Sequence, residues 1–433
     1  MKIRMAPFFL LACFYTHAQS ISIPDANFKS TLVNDTVADF DGDGNLDGDV
    51  DTNNDGEIQY SEALAVHTLR IDGRQISSLD GIEAFENLAI ISASSNEISE
   101  IDVFNNQQLI QLNVHSNNLS SIDVSNNVLL EGLYLISNNI SNINVSQNIN
   151  LKELDVRLNY LTSINVSTLT ALEKLYVSSN GISSLDLSNN SKLRVLDAHT
   201  NQISFIDITQ CADLISVELS QNNLTEIDVS NNPNLLNILV PDNNLTSLDT
   251  SNNPVVSYIY CFNNSISSLD LSTNTVLRAV HAYNNSLVSV NFANGDNSNI
   301  NYFYVQDNPE LVCIQVDNES YSNNQTCYYP GGGWCKDETA TYNDDCEFET
   351  ETEIESEDVV VNETLLSPNP AGDSITVYAE YAIDRIRVYN LHGNLVEKFE
   401  ISNTLNISGL TAGIYYVEVV SGGQRSMAKF VKN

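Results

Sequence analysis

Residues 109–119 read Leu109-Ile110-Gln111-Leu112-Asn113-Val114-His115-Ser116-Asn117-Asn118-Leu119, and the spacing LxxLxLxxNxL that they spell returns at a fixed step. Its asparagine recurs as Asn96, Asn117, Asn138, Asn159, Asn180, Asn201, Asn222, Asn243, Asn264 and Asn285, each 21 residues after the last, and as Asn308 after a step of 23. Leu193, Leu196, Ala198, Asn201 and Ile203 repeat the whole pattern. An earlier copy (Leu69, Ile71, Ile76) carries Arg74 in the asparagine's place, so residues 64–312 hold about twelve copies. A period of this length marks a chain coiled on itself turn by turn.

Elementary physics accounts for the residue types. Leucine and valine at alternate positions of a short strand point to one side, into the coil. An asparagine amide where the chain leaves the strand can pair backbone groups that the turn would orphan. One turn buries about six or seven apolar side chains, worth roughly 10–20 kcal/mol, and ordering its residues costs as much or more. Stacking is therefore obligatory. The pattern resembles the leucine-rich repeat. That resemblance implies an α/β-type solenoid, mostly β, of 21-residue repeats wound as a right-handed superhelix.

The second half of each repeat reads as in Ile122-Asp123-Val124-Ser125 and Leu185-Asp186-Leu187-Ser188, which predicts a narrow turn at the back rather than a long helix. Asp102, Asp123, Asp186, Asp207, Asp228, Asp249 and Asp270 then form a column. The column reads as solvated turn formers, with weak cation binding along the ridge as the sharper alternative.

Both ends of such a coil need covers. Residues 1–18 read as an export signal: Lys2 and Arg4, an apolar run over residues 8–15, and the small-residue site Thr16-His17-Ala18. Leu10-Leu11-Ala12-Cys13 offers an alternative, lipidation at Cys13. Residues 19–63 form the N-terminal cap, where Asp25 or Pro24 starts a short helix with Phe28 and Leu32 on one face. Residues 51–62 fit the EF-hand loop. Asp51, Asn53 and Asp55 offer oxygens, Gly56 makes the turn, Glu57 gives its carbonyl, Gln59 acts through water and Glu62 closes the loop. A weaker second site would use Asp39, Asp41, Asp43 and Asp47. The expected cofactor is structural calcium.

Residues 313–346 are read as a loop-rich cover held by Cys313, Cys327, Cys335 and Cys346, since an exported segment without its own core needs cross-links. Four cysteines allow three pairings; Cys313–Cys346 enclosing Cys327–Cys335 is favoured because the outer bridge ties the segment to the last repeat. Cys261 and Cys211 are expected to be buried and structural. Residues 347–364 are an acidic linker.

Residues 365–433 alternate as short strands separated by Gly or Asn turns and predict a small all-β sandwich. Ser367-Pro368-Asn369-Pro370, residues 386–393 and residues 410–417, with basic Lys429 and Lys432 at the end, resemble C-terminal sorting domains of the type IX secretion system. The resemblance implies handling by that machinery and a final place outside a Gram-negative bacterium, secreted or on its surface.

Outward strand positions should line one concave face. Its late copies collect Tyr258, Tyr260, Phe262, His281, Tyr283, Tyr302 and Tyr304, and its earlier copies bring Tyr134, Tyr176, Glu153, Asp155, Arg157, Lys174, Asp197 and Glu218. Rings with polar tips suit a protein or glycan ligand. A net charge of −38 excludes nucleic acid, whose phosphates nothing here would neutralise. No apolar run is long enough for a transmembrane segment. His67, His115, His199, His281 and His392 are scattered with no catalytic motif nearby. The expectation is a binding or adhesion protein, not an enzyme; a glycan-capture component of a polysaccharide-degrading surface system would differ from it in ligand alone, and a glycoside-acting enzyme built on its many carboxylates is the remaining alternative.

Overall fold

The computed structural model describes residues 19–346 and, in the tail, residues 365–432 apart from 368, 379–382, 391–394, 400–402, 412 and 422–423. The export signal, Cys13, the linker 347–364 and His392 lie outside the described residues. The chain divides into two units, residues 1–348 and 349–433.

The first unit is a mostly β leucine-rich-repeat solenoid. Parallel strands of three residues each, from Thr68–Arg70 to Gly333–Cys335, join in one long sheet, and the short strand Ala38–Asp39 pairs antiparallel with its first member. Equivalent residues stand side by side, Leu112 beside Leu133 and Leu133 beside Leu154. The middle residue of each strand points into one continuous core that runs from the cap's Phe28 to Tyr342, and its two neighbours open on the other face.

The asparagine series sews adjacent turns together. Nδ2 of Asn201 donates to the carbonyls of Val177 (3.0 Å), Ala198 (3.1 Å) and His199 (3.3 Å), while its Oδ1 accepts the N–H of Ile182 (2.9 Å). The residue ahead of each ladder asparagine is left-handed, with φ between 53° and 59° from Ser95 through Leu158 to Asp307. Along the back, Asn106, Asn127, Asn148, Asn190, Asn232, Asn253 and Asn274 form a second ladder; Asn148 Nδ2 reaches the carbonyls of Val124 (2.9 Å) and Asn127 (3.0 Å). Cys211 fills one slot of that ladder, with Sγ 3.5 Å from the carbonyl of Asn190, and is buried and free like Cys261. The aspartate column forms turns: Asp123 Oδ1 accepts the Ser125 N–H at 2.9 Å, and Asp186 and Asp249 do the same with Ser188 and Ser251. These hydrogen bonds hold all three carboxyls below the usual carboxylate range.

Two features depart from the repeat pattern. From Ser268 onward the back is no longer a bare turn: Ser268–Asp270, Ser289–Phe292, Cys313–Val316 and Thr341–Asn343 form a parallel sheet of their own. Here Val290 and Phe292 alternate inward, which keeps the backbone extended. Residues 313–346 are also more than a loop-rich cover. They add one further turn, with a strand in each sheet, and drive Trp334 into the core against Phe303 and Phe292. The disulfides are Cys313–Cys346 and Cys327–Cys335, the nested pairing.

At the opposite end, helix Ala26–Asn34 is capped by Asp25 and buries Phe28 and Leu32. Among the described residues the second unit has seven strands in two antiparallel sheets, of three and four strands, which share a core of Ile375, Val377, Ile386, Val388, Val417 and Phe430. It is the small sandwich that its alternation predicts.

Candidate functional site

Strand register assembles the late aromatics. Tyr260, His281 and Tyr304 are partners on successive strands, so their rings stack, 4.1 Å and 5° apart for Tyr260 with His281 and 4.8 Å and 22° for His281 with Tyr304. Phe262 and Tyr283 stack beside them at 4.6 Å and 7°. Tyr258 and Tyr302 stand edge-on at the margin. Tyr304 departs from expectation: it is 1% exposed, because Tyr329 of the C-terminal turn covers it with ring centroids 5.1 Å apart. Tyr304 therefore closes the row at its last strand, buried, and Tyr329, which also meets Tyr283 at 5.8 Å, lies against it at the surface. Tyr329 lies outside the repeat period; its one sequence signal is the tyrosine pair at 328 and 329 between two cysteines. Burial pulls the His281 imidazole down to about 4 and pushes the Tyr283 hydroxyl up.

Charged residues occupy the middle of the same face. Asp155 is buried and gripped by Arg157, through Nε at 2.9 and 3.1 Å and Nη2 at 2.6 Å. The guanidinium lies 4.9 Å over the Tyr176 ring and 3.8 Å from Asp197. Asp197 Oδ1 meets His199 Nδ1 at 2.6 Å, and Lys174 pairs with Glu153 at 3.1 Å. Tyr134 folds back across Gly132, where any added Cβ would lie about 3.0 Å from its ring. Glu218 accepts the Ser220 N–H at 3.1 Å and, among the described residues, has no cation of its own. It lines an open hollow of about 380 Å³ with Asp197, His199, Ser216 and Ser220.

The two acidic loops of the N-terminal cap share one hydrogen-bond scheme. Asp39 accepts the N–H groups of Gly42 (2.7 Å) and Gly44 (3.0 Å); Asp51 accepts those of Asp55 (3.1 Å) and Gly56 (2.7 Å), with Gly56 at φ 82° as the sharp turn requires. Oxygens of Asp39, Asp41 and Asp43 lie within 4.8 Å of one another, while Asp47 turns back to the Phe40 N–H (2.8 Å). In the other loop Glu62 accepts the N–H groups of Asn53 (3.2 Å) and Gln59 (2.9 Å), and Asn53 donates to Gln59 at 2.6 Å. The Glu57 side chain points away, to Lys29 at 2.7 Å. The tightest acidic trio among the described residues thus belongs to the loop with the weaker sequence match.

Residues 366–433 match the family described as a secretion system C-terminal sorting domain. No curated protein matches the chain. Among solved structures, the functional domain of InlJ from Listeria monocytogenes is similar over 96% of this chain and 100% of its own, with 20% identity and a TM-score of 0.60. The internalin InlF from the same organism is similar over 67% and 95%, with 19% identity and a TM-score of 0.51. At such identity the likeness is one of fold. Among the described residues no helix is long and apolar enough to cross a membrane.

Proposed function

We propose that this chain is an exported recognition protein that binds a protein or glycan partner on the solvent face of its long sheet and catalyses no reaction there. One observation carries the reading: Tyr260, Phe262, His281 and Tyr283 form a continuous, half-buried strip over two adjacent strands and the residues that follow them. Rings fixed by their neighbours lose little freedom on binding and offer apolar area with polar tips. The sorting domain supports a place outside the cell, reached through the type IX machinery of a Gram-negative bacterium. Wild type and a Tyr260→Ser/Tyr283→Ser variant can be screened together on a glycan array and a displayed peptide library. Ligands that lose at least tenfold in affinity on the variant, at unchanged melting temperature, support the reading. Ligands held equally by both proteins sink it.

The N-terminal cap is, in the same proposal, a calcium-stabilised element. Its oxygen-only donors suit a hard cation: Asp39, Asp41, Asp43 and Asp47 in one loop, and Asp51, Asn53, Asp55, the Glu57 carbonyl, Gln59 and Glu62 in the other.

A further inference from the structure

We infer that the partner is a protein, and that it lays a basic side chain into the hollow at Glu218 and an apolar one on the aromatic strip. This rests on the sheet face being the recognition surface, as proposed above.

Three observations lead there. First, the strip offers few free ring faces. His281 is stacked on both faces, by Tyr260 and Tyr304, and Tyr260, Phe262 and Tyr283 are each stacked on one, so the strip offers single outer faces, ring edges and hydroxyl tips rather than a broad open platform. A sugar platform needs a broad open face; ring edges with polar tips suit the side chains of a protein. Second, from Glu153 to Asp197 the carboxylates at the strand positions of this face are paired with cations, and Glu218 is not. Glu153 has Lys174, Asp155 has Arg157, and Asp197 has Arg157, with a hydrogen-bond contact to His199 besides. Glu218 stands next in register to Asp197, in a hollow with Ser216 and Ser220, and among the described residues its partner is the Ser220 backbone N–H. A guanidinium or ammonium group arriving there would complete the row, and the chain's net charge of −38 favours its approach. Third, the two features are spaced for one segment. Glu218 pairs in register with Leu239, and Leu239 with Tyr260. Two inter-strand steps are about 10 Å, which an extended chain covers in about three residues.

The test uses the full chain and a dye-labelled, acetylated hexapeptide with arginine and tryptophan three positions apart, beside the same peptide with neutral citrulline for arginine. Binding is read by fluorescence anisotropy on wild type, Glu218→Gln and Tyr260→Ser/Tyr283→Ser, with melting temperatures as the folding control. The arginine peptide should bind wild type, more weakly as salt rises. Citrulline and Glu218→Gln should each cost tenfold or more, and the two together no more than either alone. Equal affinity for the two peptides, an arginine peptide indifferent to Glu218→Gln, or no binding of either peptide overturns the inference. Loss on the tyrosine variant with none on Glu218→Gln would leave the sheet-face reading standing and remove this one. Indifference to both variants would remove both. A glycan that binds wild type and is lost on both variants, with no peptide bound, assigns the face to a sugar instead.

Discussion

Asp25 joins the N-terminal cap to the first turn of the solenoid through Ser77. One carboxylate oxygen accepts the N–H groups of Asn27 and Phe28, both at 2.9 Å, and caps the helix; the other accepts Ser77 N–H (2.8 Å), Ser77 Oγ (2.6 Å) and Ser78 N–H (3.2 Å). Burial pushes this carboxyl up, but the hydrogen bonds from Ser77, Phe28 and Ser78 outweigh it and hold the group below its usual range. Its contribution is therefore present above the ordinary carboxylate pKa and lost as pH falls through the lowered value. Asp25→Ala should cost about 1–3 kcal/mol near neutrality and less in acid. A denaturation series at pH 7 and pH 3 checks both statements; an equal loss at the two values would contradict the pH part.

The back ladder predicts an unusual tolerance. Asn253 keeps Oδ1 buried without a partner, whereas the equivalent oxygen of Asn274 accepts Thr250 Oγ1 at 2.8 Å. Val229 stands to Asn253 as Thr250 stands to Asn274, each 24 residues ahead. Val229→Thr should therefore give the orphaned oxygen its donor. A buried valine-to-threonine change ordinarily costs about 1–3 kcal/mol. Urea midpoints should place Val229→Thr at least about 1 kcal/mol above the control Val240→Thr; equal losses would show that the oxygen gains nothing.

Much of this was legible in the residues. The period predicts the solenoid because every turn repeats the same burial problem, and Asp25, Phe28 and Leu32 foretell the cap helix by ordinary capping and amphipathic logic. Strand register made the contiguity of Tyr260, His281 and Tyr304 foreseeable, since equivalent positions must stand side by side. The burial of Tyr304 was hidden because Tyr329, which covers it, arrives from a disulfide-held turn outside the period. The left-handed row was hidden for another reason: no glycine stands at Ser95, Leu158 or Asp307, so the residue type usual at positive φ gives no cue there.

Leu158 is the one large apolar residue in that row, at φ 54° and 53% exposed. A branched side chain strains this conformation by roughly 1 kcal/mol, and exposure means that little burial offsets it. Asparagine, which tolerates the region, occupies the same place at Asn263 and Asn284. Leu158→Asn should raise stability by about 0.5–1 kcal/mol, read as a higher melting temperature. A lower one would mean that the leucine makes contacts worth more than the strain.

Calcium, if held by the cap loops as proposed, must stabilise the fold by mass action. With an affinity of about 0.1–1 mM, roughly 10 mM calcium adds about 1–3 kcal/mol. Melting temperature should fall on chelation and recover when calcium, but not magnesium, is restored. Asp39→Asn and Glu62→Gln should each remove part of the response, one for each loop. A melting curve indifferent to chelator, with no heat on calorimetric titration, would end the proposal.

His281 makes the aromatic strip sensitive to acid. Its ring is sandwiched between Tyr260 and Tyr304, and burial holds its pKa near 4, against about 6.5 in an unfolded chain. The unfolded state thus binds the extra proton first as pH drops. The neutral ring's contribution is complete above about pH 6.5 and is lost progressively down to about pH 4. His281→Phe keeps a flat ring in the stack and removes the proton. The melting temperature of wild type should therefore fall faster than that of the variant between pH 6.5 and 4, and the two should run parallel above pH 7. Parallel curves across the whole range would mean that the imidazole is hydrated in the folded state and that the strip is more open than its stacking distances imply.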